Sequence, residues 1–228
     1  EAPPNIILFY VDDLGWSDVG YQGSTFYETP HIDRLASEGM RFTNAYSPCP
    51  VCSPSRASLM TGKSTARVGF TGHITAIGRH RYPAHGRIIP PEDHMQLPLE
   101  EISLARALKS AGYISASIGK WHLGAEGYWP LDHGFDLNVA GHTQGMPASY
   151  FFPYRNPRYP WNPVVANLAG GKEGEYLTDR LTDEAIRFMD THHNQQFFLY
   201  LTHYAVHTPI EAPKTLIDKY KEKLKIDN

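Results

Sequence analysis

The feature that most constrains the fold is the alternation of short apolar runs with amphipathic stretches of helical length. Residues 5–11, 113–118 and 197–201 are strand-length apolar runs, whereas 98–111 and 176–191 repeat apolar residues at the three- and four-residue spacing of a helix. A strand that is apolar at consecutive positions is typical of a parallel sheet buried on both faces. The pattern predicts an α/β fold with a mainly parallel sheet flanked by helices, and 5–11 is expected to be a central strand.

Local signals predict the remaining elements. A helix is expected where Thr29 and Pro30 supply a cap and a first-turn proline, and it should end at Gly39. The other predictions are a strand over 41–46, a short helix from Ser53 to near Gly62 and a last amphipathic helix over 216–224. Two long stretches, 71–97 and 124–175, break the alternation, and loops of that length usually carry function.

Composition and charge exclude several classes of protein. The 228 residues are 41% hydrophobic, which is enough for the core of an ordinary domain. The formal net charge of -3 argues against bulk nucleic acid as the main partner. No apolar run approaches the roughly 20 residues of a membrane-spanning helix. The 2 cysteines are too few for a disulfide scaffold.

Polar clusters directly follow three of the predicted strands. They are Asp12-Asp13, Lys120-Trp121-His122 and residues 203–207. Because the carboxyl ends of parallel strands form the ligand crevice of an α/β sheet, the clusters predict one site assembled from distant parts of the chain. The aspartate pair offers hard oxygen ligands for Ca²⁺ or Mg²⁺, but taken alone it is more typical of a helix or turn cap with one solvated acid, because the pair is common.

The two cysteines form a Cys-x-x-Cys sequence at Cys49 and Cys52. A zinc site would need further ligands, and a redox role lacks any other thioredoxin-like feature, so two small buried thiols are the ordinary interpretation. Cys52, however, opens a predicted helix, where free N–H groups favour negative charge, and Arg56 lies one turn on. An anion, an arginine and a nucleophile together indicate transfer of a sulfuryl or phosphoryl group.

The segment from Cys52 to Gly62 resembles the sulfatase signature, whose core is Cys-x-Pro-x-Arg followed by Thr-Gly. Four other segments resemble family motifs, and they occur in the expected order. The first two are the strand and metal-binding turn over 5–20 and the helix over 29–36. The last two are Gly-Lys-Trp-His-Leu-Gly at 119–124 and Ala-Val-His-Thr-Pro at 205–209. Residues 1–228 of this chain together are similar to the N-terminal part of the catalytic domain of a type I sulfatase. The resemblance implies an alkaline-phosphatase-like α/β/α sandwich.

The resemblance also implies a mechanism. Cys52 would be oxidised by a formylglycine-generating or sulfatase-maturing enzyme to formylglycine, whose hydrate attacks the sulfur of a sulfate ester. The alcohol leaves, and the second hydroxyl of the hydrate then collapses to the aldehyde and expels sulfate, so that one difficult step becomes two. Asp12 and Asp13 would bind Ca²⁺, or alternatively Mg²⁺, together with the modified Cys52, and the cation would offset charge on the sulfate oxygens.

Four further residues receive roles from the resemblance. Arg56 would hold the hydrated aldehyde, Lys120 would contact sulfate, and His122 would assist collapse of the hydrate. His207 would protonate or polarise the leaving oxygen, since the pKa of histidine is near the working pH. Without the signature, Lys120 and His122 would be interpreted as an exposed pair beside a packed Trp121, and His203 and His207 as solvated loop histidines. His203 is interpreted in that ordinary way and receives no role.

Two residues of the Gly-rich stretch after the second cluster, His142 and Ser149, are candidate substrate contacts. Aromatic side chains in the same stretch could stack on a sugar ring or could be packing anchors, and they are Tyr150, Tyr154, Tyr159 and Trp161. The predicted substrate is a sulfated carbohydrate. The alternatives are a phosphate or phosphonate ester hydrolase of the same superfamily, and a catalytically silent carbohydrate-binding relative in which Cys52 stays a thiol.

At the metal site the chain departs from the pattern of the sulfatase family. Members need another Asp-Asn type of pair, after an apolar strand, and a later lysine. Asp227-Asn228 follows a charged helical segment instead, so it is not accepted as that pair. We therefore expect weak Ca²⁺ binding and no turnover from these residues alone. The start at Glu1, without methionine, predicts a removed signal peptide and a secreted or periplasmic protein, or else a trimmed chain.

Overall fold

The computed structural model describes residues 3–74, 87, 94–162, 165, 167–168 and 170–226. The strands are β1 (Ile6–Val11), β2 (Ile114–Gly119), β3 (Leu137–Val139) and β4 (Phe197–His203). The helices are α1 (Pro30–Glu38), α2 (Cys52–Thr61), α3 (Thr65–Val68), α4 (Leu104–Ser110), α5 (Leu177–Thr191) and α6 (Lys214–Ile226). The chain forms two compact units, one of residues 1–12 and 48–211 and the other of residues 13–47 and 212–228.

The first unit contains a four-stranded sheet in the order β1-β4-β2-β3, and every strand pair is parallel. The predicted α/β fold with a parallel sheet is therefore confirmed. The prediction that the first strand is central is wrong for the described residues, because β1 pairs with β4 at the edge of the sheet. Only one of its faces packs against the core, and Ile7 and Phe9 on the other face are each 52% exposed.

Alternate residues of β4 build two cores, one on each face of the sheet. Phe197, Leu199 and Leu201 pack with the buried stripe of α5 on one face. Phe198 and Tyr200 pack on the opposite face with residues of α2 and α4. Because both faces are covered, all seven residues of β4 are buried, as a continuous apolar run predicts.

Three predicted elements differ from the structure. Residues 41–46 form no strand, since alternation alone does not supply a pairing partner. The helix predicted over 98–111 is confined to α4, and residues 98–103 precede it as turns, with Ser103 accepting from the Arg106 amide as the cap. The stretch 124–175 was predicted to be a long loop, but it contains β3. The glycine-rich sequence of this stretch did not indicate a strand. Much of 71–97 lies outside the described residues.

The second unit joins the segment before α2 to α6. Phe26 packs against Tyr220 with a ring-centroid distance of 5.3 Å. Glu28 pairs with Lys219 and, at 3.3 Å, with Lys223, and these lysines lower the pKa of the Glu28 carboxyl. The Thr29 side chain does not cap α1 as predicted, because its oxygen accepts from the Gly20 amide at 2.8 Å instead.

No helix in the part of the chain that the structure describes is long and apolar enough to cross a membrane.

Candidate active site

The predicted site residues of the first unit converge at the carboxyl edge of the sheet. Val11 pairs with His203, and Gly119 pairs with Thr202, so β1, β4 and β2 end at the same level. Asp12 follows β1 directly, and Lys120 follows β2. The parallel register therefore brings together residues that are more than a hundred positions apart.

Arg56 on α2 is fully buried beneath this edge. Its Nη1 donates to the Lys120 carbonyl oxygen at 2.8 Å, to the Thr202 hydroxyl at 2.6 Å and to the Tyr200 hydroxyl at 3.2 Å. The guanidinium carbon lies 4.9 Å from the centre of the Tyr10 ring, which adds a cation–π contact. Nε and Nη2 form no hydrogen bond with any described residue.

Two buried cations share the carboxylate of Asp12. Lys120 Nζ donates to Asp12 Oδ2, and Arg56 Nη2 lies 3.5 Å from Oδ1. The side chains of both Lys120 and Arg56 are 0% exposed. Burial, followed by repulsion from Arg56, lowers the pKa of Lys120, while Asp12 opposes the shift. One carboxylate facing two cations leaves a positive excess, which suits an anionic ligand.

His122 links this group to Cys52. Its Nε2 lies 2.8 Å from the carbonyl oxygen of Ile74, and because a carbonyl can only accept, Nε2 carries the proton. Nδ1 is then a lone-pair acceptor, 3.3 Å from Cys52 Sγ and 3.3 Å from Ser53 Oγ. Burial, and then the charge of Lys120, lower the pKa of His122 well below its ordinary value, so the ring is neutral at pH 7.

Cys52 is the first residue of α2 and is partly exposed. The residue therefore combines access to solvent with the free N–H groups of a helix start and the acceptor nitrogen of His122. Cys49 and Cys52 do not form a disulfide, and neither is fully buried. This exposure is unlike the pair of small buried thiols that the sequence alone made the ordinary interpretation.

The structure places the other predicted residues less directly. His142 is buried and offers its carbonyl oxygen to the His122 amide at 3.1 Å. Ser149 donates to the Glu211 carboxylate at 2.8 Å. His207 lies four residues beyond β4, and Asp13 belongs to the second unit. The substrate roles of His142, Ser149 and His207, and the metal role of Asp13, stay predictions.

Two of the aromatic candidates are packing anchors. Tyr150 and Tyr154 are each 2% exposed, and their hydroxyls donate to the His207 carbonyl oxygen and to Glu175. Trp161 is 47% exposed and contacts Tyr159 edge to face at 5.7 Å. Stacking on a sugar therefore stays a prediction for Tyr159 and Trp161, whereas Tyr150 and Tyr154 are too deeply buried for it.

A divalent cation would find an incomplete set of ligands. Among the described residues there is no group of three or more His, Cys, Asp or Glu side chains that could hold a metal ion. Ca²⁺ prefers about 6–8 oxygen ligands, and Asp12 and Asp13 supply two carboxylates. The described residues alone do not fit a complete cation site, and Asp227-Asn228 lies outside them.

Sequence reasoning missed the residues that hold Arg56. Tyr200 lies in the run 197–201, which was assigned wholly to the core. Thr202 directly follows that run but belongs to β4, and Tyr10 lies in the first strand. The sequence did contain one sign of this contact. Tyr200 and Thr202 are two positions apart, which puts two hydroxyls on one face of an otherwise apolar strand.

Gly119 fixes the approach of Lys120 to β4. Its φ is +112°, and a Cβ atom there would lie 1.8 Å from the Thr202 carbonyl oxygen. Gly127 has a similar φ of +89°, but a Cβ atom there would meet open space, with no described residue beyond its chain neighbours within 4 Å. We expect Gly127→Ala to cost about 1–3 kcal/mol from backbone strain alone. Gly119→Ala should cost at least about 2 kcal/mol more, because β2 and β4 must separate.

Urea unfolding of the two glycine variants measures the difference. Equal free energies of unfolding would contradict the close approach of Gly119 to Thr202.

The sequence profile of the family described as Sulfatase matches residues 4–226. N-acetylgalactosamine-6-sulfatase from Mus musculus is 40% identical over 230 residues, covering 94% of this chain and 42% of that protein. The structure of Ps i-CgsB in complex with k-i-k-neocarrahexaose aligns with a TM-score of 0.74 and 32% identity, over 96% of this chain and 49% of that chain. The structure of BT4656 with D-Glucosamine-2-N, 6-O-disulfate aligns with a TM-score of 0.69 and 26% identity, over 96% and 38% of the two chains.

The fold is the alkaline-phosphatase-like α/β fold of these hydrolases, and the candidate site lies at the carboxyl edge of the parallel sheet. The chain belongs to the sulfatase family, a family of sulfuric ester hydrolases. It spans less than half the length of each of the three relatives.

Proposed function

We propose that the chain carries the N-terminal part of a sulfatase active site that hydrolyses a sulfate ester of a carbohydrate. The observation that carries this proposal is the contact of Cys52, at a helix start, with the acceptor nitrogen of His122 beside the buried Arg56 and Lys120. A tetrahedral oxyanion matches both the positive excess and the helix start. Two relatives are named for, or were solved with, sulfated sugars, which supports a sugar as the alcohol.

We further propose that Cys52 is the precursor of formylglycine and that Asp12 and Asp13 are two of the ligands of Ca²⁺, with Mg²⁺ as the alternative. When present, formylglycine would supply the oxygen nucleophile, and the cation would offset charge on the sulfate. The remaining cation ligands must come from outside the described residues. A sulfatase-maturing enzyme is then a required partner, and a secreted or periplasmic location follows from the family resemblance.

The chain's own residues have separable tasks in this proposal. Arg56 and Lys120 offset the negative charge of the sulfate oxygens. His122 Nδ1, neutral and unprotonated, accepts a proton from the side chain at position 52. His207 holds the proton that the leaving oxygen takes up, while His142 and Ser149 contact the sugar.

Peptide mass analysis after co-expression with a maturing enzyme tests the modification. We expect the side chain of residue 52 to change from a thiol to an aldehyde, while Cys49 in the same peptide stays a thiol. A Cys52→Ala variant provides the matched control. A retained thiol at position 52, under conditions that convert a known sulfatase, would favour the carbohydrate-binding alternative.

Turnover by this chain tests the incomplete cation site, and any activity that is detected shows whether a sulfate or a phosphate ester is preferred. We expect the purified 228-residue chain to bind Ca²⁺ weakly and to show no detectable turnover of an aryl sulfate, because the two carboxylates that the described residues would supply do not complete a calcium site. Calorimetric titration with Ca²⁺ and parallel assays on aryl sulfate and aryl phosphate provide the measurement. Robust sulfate hydrolysis by this chain would disprove the expectation, and a preference for the phosphate ester would support the phosphoesterase alternative.

A further inference from the structure

We propose that Thr202 is a positioning residue of the anion site, and that its hydroxyl decides which edge of the Arg56 guanidinium faces the sulfate. The inference rests on the proposed function and names a residue that the sulfatase signature does not contain. Thr202 Oγ1 accepts from Arg56 Nη1 at 2.6 Å and donates to the Lys120 carbonyl oxygen at 3.1 Å. One hydroxyl thereby connects the segments that carry both buried cations.

The contacts of Arg56 are divided between two edges of its guanidinium. Nη1 is held by three acceptors on β4 and after β2. Nε and Nη2 form no hydrogen bond with the described residues, although both are buried and Nη2 lies near Asp12. These two nitrogens form the fork that binds an oxyanion through two parallel hydrogen bonds. Anchoring Nη1 therefore fixes the orientation of the edge formed by Nε and Nη2, of which Nη2 lies 3.5 Å from Asp12 Oδ1.

Thr202 is better placed than its neighbours for this task. The Tyr200 hydroxyl is farther from Nη1, at 3.2 Å, and the Tyr10 ring contacts only the face of the guanidinium. A ring face limits tilting of the guanidinium but does not prevent rotation in its plane. The Thr202 backbone carbonyl also accepts from the Lys120 amide at 2.7 Å, so the same residue holds the start of the Lys120 segment.

The chain offers a matched pair of substitutions. Thr202→Val keeps the shape of the side chain but removes the hydroxyl, so Nη1 loses its shortest hydrogen bond and the Lys120 carbonyl oxygen loses a donor. The Lys120 carbonyl oxygen and the more distant Tyr200 hydroxyl then hold Nη1 less firmly. Thr202→Ser keeps the hydroxyl and loses only a methyl group. We expect Thr202→Val to weaken the binding of inorganic sulfate by about tenfold or more, the effect of one hydrogen bond to a charged group. Thr202→Ser should stay within about threefold of the unsubstituted chain.

The experiment titrates the unsubstituted chain and both variants with inorganic sulfate by calorimetry. Sulfate-dependent shifts of the arginine Nε–H resonances by NMR report the position of the guanidinium, which a purely structural role would leave unchanged. Thermal midpoints without sulfate identify any loss of folding. Should Thr202→Val fail to fold, Thr202→Ala replaces it as the variant without a hydroxyl, and Tyr200→Phe, with an expected effect of about threefold, provides a further comparison.

The outcomes separate the inference from the function on which it rests. Loss of sulfate affinity in the variant without the hydroxyl, with recovery in Thr202→Ser, supports the positioning role. Equal affinity in the unsubstituted chain and Thr202→Val overturns the inference alone. Failure of the unsubstituted chain to bind sulfate overturns the proposed anion site, and the inference with it.

Discussion

Lowering the pH from 7 to 5 is expected to reduce the free energy of unfolding of this chain by on the order of 5 kcal/mol. Burial lowers the pKa of three histidines, His133, His142 and His203, from 6.5 to about 4. All three are at least nine-tenths buried. Each shift corresponds to about 3 kcal/mol, since one pKa unit is worth about 1.4 kcal/mol.

The direction follows from proton uptake. Between the unfolded pKa near 6.5 and the folded pKa near 4, the unfolded chain binds more protons than the folded chain, so stability falls as the pH falls. The histidine contribution is fully present above the unfolded value and is lost as the pH falls through the folded value. Urea unfolding at pH 7, 6 and 5 measures this slope.

His133 provides the variant for that prediction. Both of its ring nitrogens lack a hydrogen-bond partner among the described residues, and Arg106 further lowers its pKa while Asp132 raises it. We expect His133→Leu to reduce the pH dependence by about one proton and to keep or raise the stability at pH 7, since it removes unsatisfied polar atoms. His193→Asn, at an exposed position, is the control. If the free energy of unfolding of His133→Leu depended on pH as steeply as that of the unsubstituted chain, the lowered pKa of His133 would be contradicted.

Replacing Asp12 by Asn is expected to destabilise the chain by roughly 3–5 kcal/mol, because it leaves two buried cations without their carboxylate. The amide keeps the shape of the side chain but removes the charge that faces Lys120 and Arg56. The exposed Asp13 receives the same substitution as a control, and Asp13→Asn should change the free energy of unfolding by less than about 1 kcal/mol. Asn also tolerates the φ of 59° at that position.

Sulfate provides a second readout for the aspartate variants. An anion bound beside Arg56 and Lys120 would replace part of the missing negative charge, so we expect sulfate to raise the thermal midpoint of Asp12→Asn more than chloride does at equal ionic strength. Similar midpoints for Asp12→Asn and Asp13→Asn would contradict the buried charge cluster. Equal effects of sulfate and chloride would contradict only the anion site.

Where local periodicity and burial coincide, the fold was predictable from the sequence. Leu177, Leu181, Ala185 and Phe188 follow helical spacing in α5, and all four are buried. The strand predicted over 41–46 failed for the opposite reason, because a strand exists only when another strand pairs with it. β1 was predicted to be central because apolar runs report burial on both faces, but position within a sheet is set by pairing.

The candidate site was predictable in its residues but not in its contacts. Polar residues after strands indicated the edge of the sheet where Asp12, Lys120 and His122 lie. The sequence contained no sign that Asp12 faces two cations, or that Thr202 joins the Arg56 and Lys120 segments. Such contacts join residues far apart in the chain, and no local pattern encodes their distances.

The sequence by itself determined the α/β class, the main strands and helices, and the sulfatase family, since these depend on local periodicity and on short motifs with fixed spacing. Only the tertiary structure decided the order of the strands, the acceptor nitrogen of His122 and which edge of the Arg56 guanidinium forms no hydrogen bond with the described residues. The physical reason is that side-chain chemistry follows from residue type, whereas protonation and orientation follow from neighbours that the parallel register brings together.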